Sequence, residues 1–167
     1  RDRHGLLTGN DTEMVRYWHE VQYPAISFNS SSLDDFHSSG KEYAPLLKGG
    51  LFRKWYGNFD VVTKFTPDIL EYMKRYPNFV LKSQEYYFKE GPTWTLELHD
   101  GNLSIRYMPA GVIFSNRGAA VFCESSESCL KVLGFLFSKV ASYFFAMLSP
   151  TLSISAGTFR RIPIVHP

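Results

Sequence analysis

Positions 129–148 hold a stretch that is apolar on nearly every face: Leu130, Val132, Leu133, Phe135, Leu136, Phe137, Val140, Tyr143, Phe144, Phe145, Met147 and Leu148. About 20 apolar residues could cross a bilayer as one helix. Lys131, Ser138, Lys139 and Ser142 interrupt this one, however, and lysines inside a membrane are costly. The stretch therefore predicts a long hydrophobic helix, capped by Ser128, that packs on a sheet and leaves one face for another domain, with no membrane partner. The rest of the chain must supply that sheet.

Asp11 or Thr12 can cap a helix over 11–22, because Met14, Val15, Trp18 and Val21 fall at helical spacing and Pro24 follows. The Ser-, Asp- and Gly-rich stretch 25–44 reads as a surface loop. Positions 59–65 are β-branched and aromatic, as a strand requires. Thr66 and Pro67 open a second short helix, with Ile69, Leu70, Met73 and Tyr76 as its buried stripe and Pro77 as its stop. Short strands are predicted over 79–82, 93–98, 103–107, 112–115 and 119–122, the last four as an antiparallel meander with a hairpin turn at Asp100-Gly101. The tail 159–164 reads as an edge strand. The expected fold is α+β: a mixed, largely antiparallel sheet, a long hydrophobic C-terminal helix and two shorter helices. With 167 residues, 44% of them hydrophobic, the chain suits a single domain over 1–167.

Little in the sequence points to catalysis. The five histidines form no HExxH arrangement, and there is no GxSxG elbow, Walker A loop or GxGxxG fingerprint. Cys123 and Cys129 match no zinc pattern; their spacing permits a disulfide, but they read rather as reduced thiols of a cytoplasmic protein. No metal site is expected. The start, Arg1-Asp2-Arg3-His4, has no apolar region behind it and no initiator Met, so the expectation is a domain taken from a longer chain.

Net charge is only +2, so any affinity for nucleic acid has to come from clustering. Segment 48–58 clusters Lys48, Arg53 and Lys54 with Phe52, Trp55, Tyr56 and Asn58. Cationic side chains contact phosphates, arginine also reads guanine, and aromatic rings stack on bases. Arg106 and Arg117 add positive charge near the predicted sheet, with Arg106 and Ser104 on one face and Ile105 and Tyr107 on the other. The plain alternative makes Phe52 and Trp55 core anchors and leaves Arg53 and Lys54 facing water.

Four stretches, in order, resemble one family. They are His4–Asp11 with Arg16–Val21 (HGLLTGND, RYWHEV), KGGLFRKWYGNFDVV (48–62), EGPTWT (90–95) and LGFLFSKVASYFFAMLSPTLSISAGTFRRIPI (133–164). Together they are similar to the target-recognition domain of adenine-specific DNA methyltransferases from bacterial phage-defence and restriction systems, of the BREX PglX and TaqI-like type. Ser138 and Ser149 depart from the family pattern, which has Asn at both positions, the second before Pro150-Thr151. The resemblance implies a non-catalytic module that positions double-stranded DNA, with Lys48, Arg53, Lys54, Trp55, Tyr56, Asn58, Arg106 and Arg117 as contact residues. S-adenosylmethionine and the methyl-transfer chemistry would belong to a separate catalytic domain of the parent protein, against which the hydrophobic helix would sit. Two other readings stay open. One is a module that docks a partner protein of the defence complex. The other is a small enzyme in which His99, Glu85 or Cys123 converge.

Overall fold

The computed structural model of the chain describes residues 2–96, 103–148, 156–159 and 161–163. In chain order its elements are β1 (Asp2–Arg3), β2 (Leu6–Leu7), α1 (Asp11–Met14), β3 (Val15–Tyr17), α2 (Leu33–Ser38), β4 (Tyr43–Leu47), β5 (Val61–Lys64), α3 (Pro67–Met73) and β6 (Val80–Leu81). They continue with β7 (Gly91–Thr95), β8 (Ile105–Met108), β9 (Ile113–Phe114), β10 (Gly118–Val121), α4 (Ser126–Leu136), α5 (Lys139–Leu148) and α6 (Ala156–Phe159). One antiparallel sheet runs β1-β10-β7-β8, a second runs β3-β5-β4-β9 with β4 and β9 parallel, and β2 pairs with β6. The expected α+β class, with mixed and largely antiparallel pairing, is what the chain adopts.

Side-chain alternation divides the first sheet into two faces. Trp94 lies opposite both Ile105 and Ala119, and these bury against Leu133, Leu136, Ala141, Phe145 and Phe159. The Trp94 ring stacks on Phe159 at 4.3 Å. The apolar C-terminal stretch thus meets a sheet, but as two helices, α4 and α5, bent by 71°, and not as one long helix. Ser138 accounts for the break. Its amide donates to Phe135 O at 2.9 Å, and its Oγ accepts from the amide of Ala141 at 3.1 Å, capping α5. Among the described residues no single helix is long and apolar enough to cross a membrane.

The second core packs Phe36, Phe65, Tyr87, Phe88 and Phe114 around the second sheet. Phe36 lies in α2, within the stretch read as loop. Ser32 caps this helix, its Oγ accepting from the amide of Asp35 at 3.1 Å. The expected helix over 11–22 is a single turn, α1, capped by Asn10, followed by β3. Val15 and Tyr17 suit a strand, and pairing with Thr63 and Val61 of β5 overrides the helical spacing.

β4 begins at the end of the stretch read as loop and holds a proline, Pro45. Tyr43 O and Leu47 O accept from Ser27 N and Ser115 N, so alternation points the nitrogen of Pro45 toward that same side. The ladder to β9 starts only at Leu46, and Pro45 sits just before it, where no donor is required.

The meander is also revised. β9 leaves the first sheet to pair with β4, and β10 returns on the far side of β7 from β8. The tail forms α6 and a turn through 161–162 where a strand was expected. The Asp100-Gly101 turn and the last tail position, Ile164, lie outside the described residues.

Candidate nucleic-acid interface

Segment 48–58 links β4 to β5 and forms a ledge along the outer edge of β8. Gly49 and Gly50, at φ +95° and +108°, turn the chain through a region that side chains rarely adopt. The ledge is then clamped at two points. The Arg53 amide donates to Ser104 Oγ and the Ser104 hydroxyl donates to Arg53 O, both at 3.0 Å. The Trp55 amide donates to Ile105 O at 3.2 Å, and the Tyr107 amide donates to Trp55 O at 2.8 Å.

Backbone groups hold the ledge, so its side chains are free to face outward. Arg53 and Lys54 are exposed and, among the described residues, form no ion pair. Trp55 is 55% exposed and Tyr56 60%. Trp55 is therefore no core anchor, whereas Phe52 is half-buried. Trp55 sits at φ +70°, which costs a non-glycine residue roughly 1–2 kcal/mol. Its two backbone bonds hold it there, and the indole rests on Phe137 with ring centroids 3.8 Å apart. Tyr56 leans on Phe59 at 4.8 Å. Asn58, also left-handed, staples the loop by donating to Leu51 O at 2.9 Å.

A cleft of about 640 Å³ opens beside the ledge. Tyr17, Lys48, Gly49, Gly50, Asn58, Asp60, Thr95 and Arg117 all line it. Lys48 is paired with Asp11 at 2.5 Å, and Thr8 Oγ1 donates to the same carboxylate at 2.6 Å. Burial pushes the Asp11 carboxyl up, but the hydrogen bonds from Lys48 and Thr8 and the charges of Lys48 and Arg117 outweigh it, and it sits below its usual value. Arg117 is exposed and has no ion pair among the described residues.

Arg106 requires a correction. Expected as a surface contact, it is 0% exposed. Alternation does bring it together with Ser104, but the same face of the sheet carries Met108 and, across β7, Ala120, both of which belong to the second core. Its guanidinium donates to Ser104 Oγ at 2.5 Å and, from both terminal nitrogens, to Thr95 Oγ1 at 3.2 Å. Nε has no partner, and no carboxylate lies within ion-pair distance among the described residues. Burial lowers its pKa to about 10, so it stays charged at neutral pH. Arg106 is a strut beneath ledge and cleft.

Of the sequence candidates, Arg53, Lys54, Trp55 and Tyr56 come together on the ledge, and Lys48, Asn58 and Arg117 in the cleft. Sequence reasoning missed Thr95, Asp60 and Tyr17 in the cleft, Ser104 as the clamp and Phe137 beneath Trp55. Ser104 carried a signal in its alternation with Arg106, and Tyr17, Asp60, Thr95 and Phe137 lie within the stretches that carry the family resemblance.

The residues weighed for catalysis were Cys123, Glu85 and His99. Burial and a hydrogen bond with Cys129 push the Cys123 thiol up to about 12, far from the thiolate a nucleophile needs. Both cysteines are free. Glu85 is exposed, and His99 lies outside the described residues. Among the described residues no cluster of three or more His, Cys, Asp or Glu could hold a metal ion.

These features describe an α+β module with exposed cationic and aromatic side chains side by side on one ledge. No family model matches the chain. It is 35% identical, over 164 residues and 96% of its length, to the adenine-specific methyltransferase BrxX of Escherichia coli O9:H4 (strain HS). It is 33% identical, over 168 residues and 97% of its length, to the adenine-specific methyltransferase PglX of Lacticaseibacillus casei (strain Zhang). The chain spans only 13% and 14% of the length of these two relatives. It is thus homologous to one segment of adenine-specific methyltransferases.

Proposed function

We propose that the chain is the DNA target-recognition module of an adenine-specific methyltransferase of a phage-defence system and makes no or breaks no bond itself. The observation that carries this reading is the ledge. Its backbone is bonded to Ser104 and β8 at Arg53 and Trp55, while Arg53 and Lys54 are exposed and, among the described residues, free of ion pairs, beside exposed Trp55 and Tyr56. Such a surface can contact duplex phosphates and present rings and a guanidinium to base edges. On this reading, S-adenosylmethionine and methyl transfer belong to another part of the longer protein, in the cytoplasm.

A second reading, docking of a partner protein or another domain, draws support from Val140, Tyr143 and Met147. They are exposed and fall on one stripe of α5. The two readings separate in one experiment. Duplex binding by the Arg53→Ala, Lys54→Ala double variant is compared with that by Lys131→Ala, whose lysine pairs with Glu127 on α4. DNA recognition predicts loss in the first and no change in the second. Unchanged duplex binding by the double variant, with altered assembly of the parent protein, would favour docking.

A further inference from the structure

We propose that the cleft beside the ledge is a phosphate-binding subsite, formed by Lys48, Arg117, the Thr95 hydroxyl and the amides of Gly49 and Gly50. The proposal rests on the DNA-recognition reading, under which its ligand is one backbone phosphate of the duplex.

Three observations converge on this cleft. The first is unmet hydrogen-bonding capacity. Gly49 is buried, yet neither its amide nor that of Gly50 has an acceptor among the described residues. Buried amides are nearly always paired, so a buried donor lining a cleft points to an acceptor from outside.

The second is convergence. A Cβ built on Gly49 would lie 3.6 Å from Thr95 Cγ2 and 3.7 Å from Arg117 O, so these three residues meet at one wall. Arg117 itself is exposed.

The third is the uncompensated charge below. Both terminal nitrogens of the buried Arg106 donate to Thr95 Oγ1. That oxygen is thereby occupied as an acceptor, and its own proton remains available to donate. The buried guanidinium has no carboxylate partner among the described residues, and a charge in low dielectric projects further than one in water. Around the cleft, the cations Lys48, Arg106 and Arg117 oppose two carboxylates, Asp60 on its lining and Asp11 on Lys48. The balance favours an anion. A phosphate suits the site because its several oxygens can accept from amides, hydroxyl and guanidinium at once.

The test is an NMR titration of the ¹⁵N-labelled 167-residue chain with inorganic phosphate, against sodium chloride at equal ionic strength. Saturable shifts at the Gly49, Gly50 and Thr95 amides and at Arg106 Nε, seen with phosphate only, are expected. Arg117→Ala should weaken phosphate binding about tenfold. Shifts that chloride reproduces, or that Arg117→Ala leaves unchanged, would overturn the subsite. Adding duplex separates the two layers of the argument. Duplex that displaces phosphate supports both. Phosphate binding with no response to duplex supports the subsite and sinks the DNA reading. Duplex binding that leaves these resonances untouched overturns the subsite and keeps the DNA reading.

Discussion

Replacing Ser104 with alanine tests the clamp between core and ledge. The fully buried hydroxyl makes two neutral hydrogen bonds with the Arg53 backbone and accepts one from the Arg106 guanidinium. A neutral bond contributes roughly 0.5–1.5 kcal/mol and one to a charged group roughly 1.5–3. Arg106 keeps its bonds to Thr95. The exposed side of the ledge also lets water reach the Arg53 peptide. Those two allowances bring the expected cost of Ser104→Ala to about 2–3 kcal/mol. For a domain of this size, that corresponds to a fall in Tm of about 4–12 °C. Thermal unfolding followed by circular dichroism gives the shift, and hydrogen exchange at the Arg53 and Trp55 amides shows whether the ledge loosens. A Tm within about 1 °C of the parent chain, with unchanged exchange at Arg53, would refute the clamp.

Other expectations follow from single contacts. The Asp11 carboxyl is held below its usual value, so it stabilises the fold above the unfolded-state pKa of 3.8 and ceases to do so as pH falls through its lower folded value. Asp11→Asn should therefore flatten the acid limb of a Tm-against-pH curve; an identical acid limb would count against the Lys48 pair. Ser138→Ala removes the hydroxyl that caps α5 and should cost about 1 kcal/mol in urea unfolding; a more stable variant would show that the break between α4 and α5 has another cause. Trp55→Gly should lose contact with Phe137 but relieve a left-handed φ, so duplex affinity should fall by more than stability does. Parallel losses in both would make Trp55 a packing residue.

The sequence was legible where local chemistry and tertiary packing agree. Thr66-Pro67 opens α3 as expected, and alternation in β8 sets Ile105, which packs against the C-terminal helices, opposite Ser104 and Arg106. It misled where a distant partner decides. Val15 fits a helix by spacing with Met14 and Trp18, but β5 offered it a strand. The start of β4 was read as loop with the Ser-, Asp- and Gly-rich stretch before it, and only the three-dimensional register shows that the missing donor of Pro45 falls before the β9 ladder. Ser138 looked like a polar interruption of one helix and is the cap of a second.

The candidate site divides in the same way. Clustering in sequence found the ledge, since Arg53 to Tyr56 are neighbours along the chain. Arg106 was read as a surface cation because a strand pattern fixes which side chains share a face but not what covers that face. The cleft draws Tyr17, Lys48, Thr95 and Arg117 from four separate segments, and no local pattern joins them.

The salt dependence of duplex binding bears most directly on the claim that the ledge grips a DNA backbone. Each phosphate contact contributes about 0.9 to the negative slope of log K against log salt. The parent chain should show a clear negative slope, reduced by up to about 1.8 in the Arg53→Ala, Lys54→Ala double variant if both side chains hold phosphates. An affinity indifferent to salt, or a slope that survives both substitutions intact, would contradict it.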